Sequence, residues 1–121
     1  MAEPGMAEFI KALNVRDVPD EGGACVLLAG RKIGLFRVGG EVYAIDDTCS
    51  HEEASLSAGM LYLDDEEPQI ECPKHGSMFS IVTGQVFSLP AVRPVHSYET
   101  DIRDGVVYVS TDPRPLVSSR H

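Results

Sequence analysis

Two short stretches of this sequence each carry one cysteine and one histidine: Cys49 and His51 in CSH, then Cys72 and His75 in CPKH, with twenty residues between the pairs. Thiolate sulfur and imidazole nitrogen both ligate transition metals, so two mixed pairs on two loops could grip one centre. A coincidence of core residues would not put two such pairs in turn-rich segments. Zinc accepts two cysteines and two histidines, but zinc modules use C-x2–4-C and H-x3–5-H spacings, and a C-x-H bite is unusual for them. A [2Fe–2S] cluster explains the mixture more directly: one iron takes both cysteines and the other both histidines, so each loop feeds both irons. A zinc-stabilised interaction module stays as the non-redox alternative.

The elements that must position these loops read as short strands. RKIGLFRV and EVYAI flank Gly39-Gly40, and YETDIR and VVYVS flank Asp104-Gly105, both signatures of tight hairpins. ACVLLAG, PQIECP and FSIV add apolar or β-branched runs bounded by turn residues. CSH follows the strand ending near Ile45, CPKH follows PQIE, and Pro73 suits a loop entry because it has no ladder donor. Gly76 and Gly84 mark turns after the second pair, and SLPAVRP, with Pro90 and Pro94, could fold over the other two loops. The expected fold is all-β, a small antiparallel sandwich or barrel with a two-loop cluster-binding subdomain. It would occupy residues 9–111 as one domain, with flexible tails at 1–8 and 112–121.

Charge and composition remove several function classes. With 19 acidic against 10 basic residues the formal charge is −9, the wrong sign for nucleic acid. No apolar run approaches the roughly 18 residues of a membrane span. The start, MAEPGMAEFIKA, has no basic stretch leading into an apolar one, so no signal peptide is visible and a cytoplasmic location is expected. Three cysteines without an export signal read as buried thiols or metal ligands rather than disulfides. Cys25, in ACVLLA, has no motif partner and is read as a buried structural thiol. His96 borders a strand and His121 is the last residue, so neither is read as a ligand.

The two boxes, CSH and CPKHGS with TG at 83–84, resemble the Rieske ferredoxins, and the likeness runs from DDTCSHEEASLSAG through FSIVTGQVFSLP. Two cysteines on one iron and two histidines on the other is the known pattern of Rieske centres. The resemblance implies one [2Fe–2S] cluster per chain, with Cys49 and Cys72 on the inner iron and His51 and His75 on the outer, more exposed one. Rieske proteins of cytochrome complexes carry two further cysteines that form a disulfide bracing the loops. Ala54 and Lys74 stand at those places, which fits the soluble low-potential ferredoxins.

Nearby residues point the same way. Ser77 could donate a hydrogen bond to a sulfide and so raise the potential, while Phe79 occupies the place of a tyrosine and has no hydroxyl to give. The expectation is the low end of the Rieske range, around −150 mV. Two neutral imidazoles leave the oxidised core uncharged, and a potential that falls with alkaline pH would follow from histidine ligation. Lys74 is the positive charge expected closest to the cluster, and Pro90 resembles the family's shielding proline loop. Glu52 and Glu53 sit beside His51, and the acidic run Asp64–Glu67 between the boxes reads as a solvated turn.

A catalytic 2-His-1-carboxylate iron site would need two histidines beyond the four ligands, and only His96 and His121 remain. The chain is therefore expected to carry electrons without performing oxygenation. By resemblance, its donor would be a flavin-dependent reductase and its acceptor a terminal non-haem-iron, ring-hydroxylating oxygenase. A nitrite reductase subunit and a ferredoxin of iron–sulfur assembly are the alternative settings.

Overall fold

The computed structural model describes residues 8–49, 54–63, 67–74, 76–88 and 93–117. These form ten strands: β1 (Phe9–Asn14), β2 (Gly22–Leu28), β3 (Arg31–Val38), β4 (Glu41–Asp46), β5 (Met60–Tyr62), β6 (Gln69–Glu71), β7 (Met78–Ser80), β8 (Ser97–Tyr98), β9 (Thr100–Arg103) and β10 (Val106–Ser110). Three antiparallel sheets result, ordered β1-β10-β9, β2-β3-β4-β8 and β5-β6-β7. The only helical pieces among the described residues are short 3-10 turns at Val15–Asp17 and Leu56–Ala58. The fold is the expected all-β antiparallel one.

The central sheet is apolar on both faces, which explains why Ile33, Gly34, Leu35 and Phe36 of β3 are buried as a continuous run. Side chains alternate across a strand, so Ile33 and Leu35 with Val42 and Ala44 face one way. They meet Val107 and Val109 of β10 in a sandwich core that also holds Val18 and Tyr98. Phe36 and Ile45 face the other way and join Leu56, Ile70, Phe79, Ile81, Val86 and both Cys49 and Cys72 in a second core. One sheet thus separates a structural core from a core that contains the two cysteines.

Three two-residue turns set the registers. Asp104-Gly105 has both φ values positive, 51° and 76°, as a type I′ hairpin requires. At Gly39-Gly40 only Gly39 is positive, 61°, the pattern of a type II′ turn. Ala29-Gly30, at 50° and 78°, joins β2 to β3 in a third hairpin, with an alanine in the left-handed region.

Cys25 corrects the sequence reading, because its side chain is exposed rather than buried. Ala24, Val26 and Leu28 pack toward the sandwich core, which turns Cys25 to the opposite face. There β2 is the sheet edge, and the loop that covers Gly23 through the Ser57 carbonyl leaves Cys25 open. Partial burial first, and the nearby Asp47 carboxylate second, push its thiol pKa up, which makes it a poor nucleophile at neutral pH. Beyond β10, Thr111 N–H donates to Glu8 O at 2.8 Å and Arg114 N–H to Ser97 O at 2.9 Å, so this segment lies against the domain. No helix of the described residues is long and apolar enough to cross a membrane.

Candidate metal centre

The first ligand loop leaves β4 and returns into the 3-10 turn at Leu56. A bridge between Thr48 and Ser55 closes it, and Cys49 N–H donates to Ala54 O at 2.9 Å. The second loop leaves β6 and returns into β7. There Cys72 N–H donates to Ser77 O at 2.7 Å and Gly76 N–H to Cys72 O at 3.0 Å. Each cysteine thus closes its own loop through a bond to the carbonyl five residues on. Gly76, at φ 80°, turns the chain where other residues would be strained.

Both thiols are nearly inaccessible, Cys49 at 4% and Cys72 at 2% exposure, and they share one apolar shell. Neither forms a disulfide. His51 and His75, the expected partners, lie outside the described residues, as do Glu52, Glu53, Asp64–Glu66 and Pro90. Among the described residues no group of three or more potential ligands assembles, so the two cysteines are the described half of the candidate set.

The neighbouring residues fall into place around the second loop. Ser77 is fully buried, as is Phe79, whose ring packs in the shell with both cysteines. Lys74 is exposed at the loop tip. Ser80 Oγ accepts from Val82 N–H and Thr83 N–H, both at 3.0 Å, which folds the chain into the turn ending at Gly84. Gly84, at φ 81°, accepts Val95 N–H at 2.9 Å through its carbonyl and so anchors the segment that leads into β8. A Cβ at Gly84 would lie 2.0 Å from Val95 O.

Beside Cys49 a cleft of about 400 Å³ is lined by Thr48, Cys49, Arg93, Pro94, His96 and Leu116 among others. His96 does not present a vacant ring to it: Nδ1–H donates to Arg114 O at 2.9 Å. Tyr98 O–H donates to Asp46 Oδ1 at 2.6 Å, and Asp46 Oδ2 accepts His96 N–H at 2.9 Å. Burial above all, then the bond to Asp46, pushes the Tyr98 hydroxyl up to about 12. This network braces the strand end from which the first loop departs. Reading the sequence misses it, because nothing in SYET marks a tyrosine that reaches a carboxylate 52 positions away.

Residues 8–99 match the model of the Rieske [2Fe-2S] domain. The chain belongs to the Rieske [2Fe–2S] family. Its donor set fits the cofactor of that family on physical grounds: two buried thiols, held by matching loop closures in a dry shell, are suited to thiolate ligation. One [2Fe–2S] cluster per chain and a one-electron carrier role follow for this Rieske domain.

The chain is 43% identical over 100 residues, 83% of its length and 91% of the relative's, to the 3-phenylpropionate/cinnamic acid dioxygenase ferredoxin subunit of Shigella flexneri serotype 5b (strain 8401). The ferredoxin of carbazole 1,9a-dioxygenase from Nocardioides aromaticivorans IC177 superposes with a TM-score of 0.80 at 28% identity, covering 86% of this chain and 98% of that one. A ferredoxin solved in complex with the reduced oxygenase of carbazole 1,9a-dioxygenase gives 0.78 at 34% identity, covering 88% and 96%.

Proposed function

We propose that Cys49, His51, Cys72 and His75 hold the cluster, and that this Rieske ferredoxin passes single electrons from a flavin-dependent reductase to a terminal non-haem-iron oxygenase in the cytoplasm. When bound, the cluster supplies a one-electron couple. The observation that carries the reading is the pair of buried cysteines, each closing its own loop by the same bond within one apolar shell.

The chain's own residues would shape that couple. The amide groups of Cys49 and Cys72 are engaged by Ala54 O and Ser77 O, so neither is spare to stabilise added negative charge on sulfur. The Ser77 hydroxyl, fully buried, is the side-chain donor assigned to the cluster, and Phe79 contributes packing but no hydrogen bond. Exclusion of water by this shell strengthens every local charge interaction and holds the potential low. Lys74, exposed between Cys72 and His75, places a positive charge on the second ligand loop.

The test is anaerobic purification followed by absorption and EPR spectroscopy before and after dithionite. A red-brown protein whose reduced signal averages near g of about 1.9 supports mixed His/Cys ligation. A colourless protein with about one zinc overturns it. Stopped-flow oxidation of the reduced protein by a ring-hydroxylating oxygenase then tests the acceptor, and failure to transfer to any such oxygenase overturns that part alone.

A further inference from the structure

We infer that Asp47 is the positioning residue of the first cluster loop. It is the one charged residue in the buried set among the described residues, at 2% exposure. Four bonds meet on it. Oδ1 accepts Ser57 N–H at 2.9 Å, and Oδ2 accepts the Ser55 hydroxyl. Its backbone carbonyl accepts Leu56 N–H at 2.6 Å, and its N–H donates to Lys32 O at 3.0 Å. Asp47 therefore ties the strand leaving toward Cys49 to the turn where the loop comes back.

The two loops differ in how they are supported. The second runs between β6 and β7, whose ladder holds both of its stems. The first leaves β4 and meets no returning strand among the described residues, only the single Thr48–Ser55 bridge. The Asp47 carboxylate takes the place of the missing ladder. Two acceptors are used there, for one amide and one hydroxyl, and an apolar side chain would leave the Ser57 amide without its bond and the Ser55 hydroxyl with Ser57 Oγ alone. The sheet makes room for it: a Cβ on Gly34 would lie 3.0 Å from Asp47 Oδ1 and 3.0 Å from the Phe36 ring.

The inference rests on the reading of Cys49 as a ligand, and its test separates the two. The holoprotein is challenged anaerobically with excess chelator while its visible band is followed, with an EPR spectrum of each variant. Asp47→Ala is expected to lose metal about 10–100-fold faster than wild type, with a broadened signal. Asp47→Asn is expected to restore retention: its Oδ1 still accepts from Ser57, its Nδ2 donates to Ser55, and the Ser55 proton turns to Ser57 Oγ, 2.9 Å away. Ser55→Ala should give a smaller acceleration and carries the test if Asp47→Ala does not fold. Val107→Ala, in the opposite core, should leave the release rate unchanged.

Metal release from Asp47→Ala or Ser55→Ala at the wild-type rate overturns the positioning role. So does Asp47→Asn releasing as fast as Asp47→Ala, or Val107→Ala matching either. Failure of the ligand reading shows differently, as a Cys49→Ala protein that retains its full complement of iron.

Discussion

The two faces of the β2-β3-β4-β8 sheet carry cores of different character. The sandwich core is aliphatic apart from Tyr98, closed by long ladders and continuous from Val18 to Val109. The other is assembled from three-residue strands and loop residues around Cys49 and Cys72. Long strands satisfy their backbone on their own, whereas short strands and loops leave polar groups for side chains to satisfy. That is why Asp47, Ser80 and Ser88 bond backbone amides on the cluster side. The lesson is a division of labour: one core supplies stability through area, and the other trades area for the placement of two sulfurs.

Removal of a ligand should separate the two cores most. Cys72→Ser should abolish the visible absorption, and hydrogen exchange should then quicken in β5, β6 and β7 while β1 and β10 keep their protection. Equal loss of protection on both sides would mean that the two cores unfold as one unit.

Next come paired destabilisations. Leu35→Ala in the sandwich core should cost about 2–5 kcal/mol by denaturant titration and leave the reduction potential unchanged. Gly84→Ala should cost roughly 1–3 kcal/mol from backbone strain and should also move the potential, because its Cβ would displace Val95, which packs in the core with both cysteines. A potential that moves with Leu35 and not with Gly84 would reverse the assignment of roles.

Alkaline pH probes the link between the cores. The folded-state pKa of Tyr98 is raised from 10.0 to about 12, so its contribution is fully present below pH 10 and is lost as pH rises through 12. Stability should fall across that window, and Tyr98→Phe should flatten the fall; an unchanged slope would remove Tyr98 as its source.

On the cluster side, Phe79→Tyr should act on the potential through one new hydroxyl. One added donor to a ligand sulfur is worth about 1 kcal/mol, or roughly 40 mV upward for a one-electron couple. Protein-film voltammetry reads it, and an unmoved potential would show that the hydroxyl finds no sulfur. The smallest effect is expected at the β2–β3 turn, where Ala29→Gly relieves a φ of 50° and should gain under about 1 kcal/mol in thermal unfolding, with no change at the cluster.

The chemistry and most of the strands are legible in residue type and spacing, whereas β1 (FIKALN) and β5 (MLY) are not picked out that way. Cysteine and histidine at C-x-H and C-x-x-H, the hairpins at Gly39-Gly40 and Asp104-Gly105, and the family boxes are local patterns, written in residue type and spacing. Ala29-Gly30 escapes such reading because alanine does not advertise a positive φ, and Cys25 misleads because ACVLLA is apolar on both sides of a strand that proves to be an edge. Tertiary structure alone decided which face of the central sheet each residue joins. It also decided that Asp47 is buried against the turn at Ser55–Ser57 and that Tyr98 reaches Asp46 across 52 positions. Such contacts arise from sheet stacking and loop return, and residues so far apart in the chain leave no periodic trace from which they could be read.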